Sequence, residues 1–321
     1  MSIISKQTGY SNGSNLLYAI LKEVDDICKA LGPTPTTANP YKTITLDWAT
    51  AASASNWLGQ NGAGTDTTDV NNWNIAFNLP VLGTPFTSVA VIANSRIILS
   101  NPGIINTTPY RLFSPLATDY SNDLISIVDE GVLLHIGDNC FIGNTGFYSA
   151  KFAEVVQIEA ESAFDNCINL TTVIMPKLAL TNFGAFEYCY ALRSVNFPLL
   201  TYIANELFFK AGLTSINAQL ADYIGDYAFQ QTGISVANFP NANYVGAYAF
   251  NSCPLNIIDL SSCTDLGGST GNDNVFYGII GRTITLTVPA ALMTCNGGNP
   301  DGDIQYLTDP LQGNTVTIIT V

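Results

Sequence analysis

Apolar positions in the middle of this chain recur in a long fixed frame, not with helical or simple strand periodicity. Phe141, Phe164, Phe186, Phe208, Phe229, Phe250 and Phe276 return at intervals of 23, 22, 22, 21, 21 and 26 residues. A small residue often precedes the ring (Ala163, Ala185, Ala228, Ala249), and another follows three places later (Cys167, Cys189, Ala211, Thr232, Cys253). A short apolar-polar run comes next. In one unit its inward positions are Leu192, Val195, Phe197, Leu200 and Ile203; the following units repeat them at Leu213, Ile216, Ala218, Ala221 and Ile224, and at Ile234, Ala237, Phe239, Ala242 and Val245. One such unit cannot enclose a core, but stacked units bury a continuous one, so the period predicts a mainly β solenoid. Burial of each Phe contributes about 1.5–3 kcal/mol. Pro176, Pro198, Pro240 and Pro289 follow the runs and end them, because proline has no N–H for a ladder.

The same frame separates interior from surface. Side chains alternate along a strand, so residues between the inward ones face solvent. Asn196, Asn217, Asn238 and Asp259 then form a polar ladder at 21-residue spacing, with Arg193 beside it. These five are the candidate binding residues, either a structural ladder or a contact surface for a receptor or carbohydrate. The cysteines at the slot shared with Ala and Thr are expected to be buried reduced thiols, not disulfides.

The frame I-G-x-x-A-F-x-x-C-x-x-L-x-x-V-x-x-P, seen at Ile224–Phe229 and Val245–Phe250, resembles the BspA-type leucine-rich repeat over residues 113–292. The resemblance implies a right-handed solenoid with one short strand per repeat and few long helices. The family includes bacterial surface adhesins, protozoan surface proteins and phage virion proteins.

Outside the repeats the pattern changes. Leu17, Leu21, Val24, Cys28 and Leu31 step by 4, 3, 4 and 3 and predict one amphipathic helix, which Gly32 and Pro33 end. Residues 1–32 are therefore expected to be an attachment or oligomerisation element, with a trimer as the first expectation, and residues 33–40 a linker. The stretch Ser5–Ser11 with Ser14–Tyr18 resembles an N-terminal segment of phage structural proteins. Residues 41–110 read as a β-rich capping region, with strands within Tyr41–Trp48 and Phe86–Leu99 and a loop over Ala51–Asn72. Trp48, Trp57 and Trp73 are expected to cover the open end of the core. Residues 111–292 form the repeat region, starting from a degenerate unit at Phe113, and 293–321 a second cap ending in a strand from Thr315.

Charge narrows the function. The chain has 11 Lys plus Arg against 25 Asp plus Glu, so it is poorly suited to neutralising a phosphate backbone, and no nucleic-acid partner is expected. No apolar run reaches the roughly 18 residues needed to span a bilayer. The N-terminus lacks a signal-peptide pattern. The single histidine, His135, has no nucleophile turn beside it, and no P-loop or zinc spacing occurs, so no enzyme and no cofactor are expected. Asn272–Asn274 and Asn296–Asp303 offer oxygens to Ca2+ but also the chemistry of ordinary turns. The expectation is a virion structural protein, a fibre, spike or decorating appendage for host attachment, assembled in the host cytoplasm. Its partners would be itself, other virion proteins and a host-surface glycan or protein. The alternative is a secreted or cell-surface bacterial adhesin.

Overall fold

The computed structural model describes residues 42–321 apart from 62, 80–84, 93–94, 102, 109–110, 114–122, 160 and 269–272. Residues 41–321 form one compact unit. The predicted helix over 14–31, with Leu17, Leu21, Val24, Cys28 and Leu31, lies outside the described residues.

Each core Phe from Phe113 to Phe276 is fully buried. Their rings stack one repeat on the next, with centroids 4.9 Å apart for Phe141–Phe164, 5.1 Å for Phe164–Phe186 and 5.6 Å for Phe208–Phe229. The backbone around each ring forms hydrogen-bonded turns. Ser162, Phe164 and Asn166 donate their N–H groups to the carbonyls of Phe183, Ala185 and Glu187 in the next repeat, and Tyr227, Phe229 and Gln231 do the same to Ala247, Ala249 and Asn251. Aiming alternate N–H groups along the stack requires left-handed backbone two residues before and two after the ring. Ser162, Glu206, Tyr227 and Tyr248 take it on one side; Asn166, Tyr188, Lys210, Gln231 and Ser252 take it on the other, with φ between +54° and +59°. The glycine of the I-G pair has a different reason. A Cβ on Gly225 would lie 2.5 Å from the Asn205 backbone nitrogen, so the preceding repeat leaves room for hydrogen only.

Two strand ladders run beside this turn ladder, which corrects the expectation of one strand per repeat. One carries the inward Val and Ile of the run: Ser194–Asn196 pairs in parallel with Ser215–Asn217, and Val236–Asn238 with Ile257–Asp259, then Thr283–Val288 and Thr315–Thr320. The other holds Tyr202–Ile203, Tyr223–Ile224, Tyr244–Val245 and Asp265–Leu266 in one parallel sheet. Isolated bridges at Leu180 connect it back to Gln157 and the strand Leu133–Ile136. The second strand is only two residues long, too short for alternation to mark it in the sequence.

The N-terminal cap is mixed. Strand Lys42–Trp48 pairs antiparallel with Arg96–Asn101 and with Leu124–Asp129, so it joins the cap directly to the first parallel rungs. The loop expected over Ala51–Asn72 is instead largely helical: α1 spans Ala51–Gln60 and α2 spans Val70–Ala76. Thr50 and Asp69 cap their N-termini through side-chain oxygens. The Ala, Ser and Asn content reads as loop, but Ala54, Trp57, Leu58 and Trp73 form an apolar face that tertiary packing rewards. Trp57 lies 5.1 Å from Phe113 with an 18° interplanar angle, extending the ring stack, and Trp48 and Trp73 flank it at 5.5 and 6.0 Å. At the other end α3, Gly302–Thr308, packs near the last strand, Thr315–Thr320.

Candidate functional site

With the interior given over to apolar rings, chemistry is confined to side chains on the outer faces. The buried cysteines serve the interior: the thiols of Cys167 and Cys253 donate to the carbonyls of Phe141 and Phe229, 3.0 and 2.9 Å away, and Thr232 donates to the same Phe229 oxygen at 2.8 Å. At this slot Cys therefore donates to the Phe carbonyl of the preceding repeat and Thr to that of its own repeat. The six described cysteines are all free thiols, five of them buried. Burial pushes Cys140 and Cys253 up to about 12, which removes the thiolate at neutral pH.

The five candidate binding residues do not form one continuous ladder. Asn196 and Asn217 face each other in register, and Asn217 donates its amide to Asn196 Oδ1 at 2.7 Å. Asn238 pairs with Asp259 in a separate sheet. Asp259 is half-buried and accepts from the Ser261 N–H at 3.1 Å, so it serves a turn. Arg193 sits before the first of these strands, and its guanidinium donates to the Gly212 carbonyl at 2.8 Å.

Around Arg193 the structure gathers residues that sequence spacing did not single out. Lys210 Nζ lies 4.8 Å from the Phe209 ring centroid and 5.5 Å from that of Tyr188. Tyr190 meets Tyr188 edge to face at 6.0 Å and is 50% exposed. Beside them burial pushes the Glu187 carboxyl up to about 7, helped by the Asp165 and Glu206 carboxylates and opposed by Lys210.

A second surface column is aromatic. Tyr202, Tyr223 and Tyr244 stack at 4.6 and 4.9 Å, nearly parallel. Their faces are turned to one another, so the column offers edges and hydroxyls to solvent and no flat platform. The 21-residue spacing of these tyrosines was readable, but only once a second strand per repeat is known. His135 joins the same ladder further back, where its Nδ1 lies 2.6 Å from Glu159 Oε1.

The two acidic runs meet. Asp303 accepts from the N–H groups of Asp273 and Val275 at 3.0 and 2.8 Å, and Asp301 caps α3 by accepting from Asp303 N at 2.9 Å. Burial pushes both carboxyls up to about 6. The Asp303 oxygens hold the 273–275 segment in place. Among the described residues no group of three or more His, Cys, Asp or Glu is placed to hold a metal ion. No helix of the described residues is long and apolar enough to cross a membrane.

No curated protein matches the sequence. Among solved structures, the chain is similar to a leucine-rich cell surface protein from Faecalibacterium prausnitzii A2-165, with 19% identity and a TM-score of 0.39 over 59% of this chain and 44% of that one. It therefore spans less than half the length of that relative. It is also similar to the T. pallidum leucine-rich repeat protein, with 15% identity and a TM-score of 0.30 over 61% of this chain and 92% of that one. The model of the BspA type leucine rich repeat region matches in six copies across residues 119–231 and 222–290, more than half of the 321 residues. With its Phe-centred turns, parallel ladders and these matched copies, the chain belongs to the BspA-type leucine-rich repeat family.

Proposed function

We propose that this chain is a non-catalytic surface protein whose repeats form a solenoid presenting a recognition face for attachment to another cell or surface. The observation that carries the reading is the division of labour within each repeat. Its core is an unbroken apolar ring stack, and its outer face is rich in Asn, Ser, Thr and Tyr, groups that bind by hydrogen bonding without strong charge. Membership of a repeat family whose proteins typically bind without catalysing supports it. The test is adhesion of the labelled full-length chain to epithelial and bacterial cells, read by flow cytometry. Saturable binding is expected, reduced by Arg193→Ala and by Asn196→Ala with Asn217→Ala. Binding to none of the cells, with the fold intact by circular dichroism, overturns the reading.

A second reading places the same surface on a phage virion as a fibre, spike or decorating appendage. The sequence of Ser5–Tyr18 favours it, and mass spectrometry of purified virions tests it: absence of the chain sinks it. In either setting residues 14–31 would oligomerise or anchor the protein. Deleting residues 1–32 is expected to reduce the mass seen by light scattering to that of one chain. An unchanged mass refutes that role.

A further inference from the structure

In the middle of the stack the repeat shortens by one residue. Phe164, Phe186 and Phe208 are 22 residues apart, whereas Phe208, Phe229 and Phe250 are 21 apart. The lost residue comes from the segment between the small slot and the strand. Cys189-Tyr190-Ala191-Leu192 becomes Ala211-Gly212-Leu213 and then Thr232-Gly233-Ile234. Two successive repeats therefore turn this corner on glycine, where their neighbours carry Ile168, Tyr190 and Pro254. A Cβ on Gly212 would lie 2.0 Å from the Tyr190 carbonyl oxygen and 2.6 Å from Arg193 Nη1; one on Gly233 would lie 3.2 Å from the Leu213 oxygen. The strand ladder also breaks here, between Ser215–Asn217 and Val236–Asn238. An open trough of about 520 Å³ lies at this corner, within the size range of small-ligand sites.

The trough's walls are unusual for so acidic a molecule. Arg193 and Lys210 both line it, with the half-exposed Tyr190 ring, Thr214 and Gln231. Among the described residues, the ion pairs join Arg96 to Asp47, Lys177 to Glu154 and His135 to Glu159; neither Arg193 nor Lys210 makes one. Arg193 donates through Nη1 to the Gly212 carbonyl, while a guanidinium has five N–H donors in a planar fork.

We infer that this trough binds a carboxylate-bearing sugar, a sialic or uronic acid unit of a surface glycan. The carboxylate suits the Arg193 fork and the Lys210 ammonium. The C–H face of a pyranose suits the exposed Tyr190 ring, an apolar body with a polar tip. The Gln231 amide can hydrogen-bond ring hydroxyls, and the Thr214 hydroxyl, which donates to the Arg193 carbonyl at 3.0 Å, can accept from one. The inference rests on the adhesion reading and names the chemistry of its receptor.

Calorimetry on the full chain tests it with two acidic probes, 3′-sialyllactose and a galacturonate trisaccharide, against lactose and the carboxyl-reduced trisaccharide. At least one acidic probe is expected to bind, and its neutral counterpart about tenfold or more weaker. Arg193→Ala, Lys210→Gln and Tyr190→Ala should each weaken that binding about tenfold, while Lys151→Gln, an exposed lysine outside the trough, leaves it unchanged. No saturable binding of either acidic probe, equal affinity for the neutral sugar, or indifference to all three substitutions overturns the inference. Cell adhesion without acidic-sugar binding overturns the trough alone. Acidic-sugar binding without cell adhesion keeps the trough and overturns the adhesion reading.

Discussion

Two residues either side of each core phenylalanine, side chains as large as tyrosine sit at positive φ. Left-handed backbone costs an L-residue about 1–2 kcal/mol, and the repeat accepts that because each such residue sends its N–H to the next repeat. The chain itself shows the remedy: Gly143, Gly184 and Gly278 occupy equivalent positions. Gln231→Gly is therefore expected to raise stability by about 0.5–1 kcal/mol after the extra freedom of glycine in the unfolded chain is subtracted. Gln231→Val should lower it, since a β-branched residue fits this region worst. Urea unfolding of both variants measures the difference. Gly and Asn at some of these positions (Gly143, Gly184, Gly278, Asn139, Asn166, Asn274) signal a left-handed backbone, but Tyr, Lys and Gln at the others do not, so there the position emerges only from its distance to the Phe.

At the scale of elements, the caps were the least legible part. Alternation identified the strands Lys42–Trp48 and Arg96–Asn101 because one face of each is buried. It missed α1 and α2, whose helical order comes from packing onto the ring stack and not from propensity. Trp57 is the keystone of that packing, fully buried and stacked on Phe113, and its indole N–H has no hydrogen-bond partner among the described residues. Trp57→Ala is expected to cost about 3–5 kcal/mol and to expose amides of the first rungs in hydrogen exchange before those near Phe229. Uniform exposure along the repeats would show that the cap does not guard the end of the stack. Trp57→Phe keeps the ring and removes the buried unpaired donor, so its loss should be far smaller.

Across the whole molecule the acidic groups set the response to pH. Burial, as the leading cause, pushes Asp129 and Glu187 up to about 7 and Asp165, Asp301 and Asp303 up to about 6. A carboxyl raised above its unfolded value binds more protons in the folded state. Its contribution is present at low pH and lost as pH rises through the folded pKa. Stability should therefore fall between about pH 4 and pH 7 and level off above. The urea midpoint at pH 5 is expected to exceed that at pH 8, and Asp129→Asn should flatten part of the slope. A midpoint that rises over this window would contradict the sign. The sequence by itself determined the repeat, its register, its inward residues and its buried thiol slot, because an apolar frame returning every 21 to 23 residues admits few other solutions. Tertiary structure alone decided the second strand ladder, the helical cap, the meeting of the two acidic runs and the trough at Gly212 and Gly233. Each depends on which repeats lie side by side and on how closely their backbones approach, a distance that no single segment encodes.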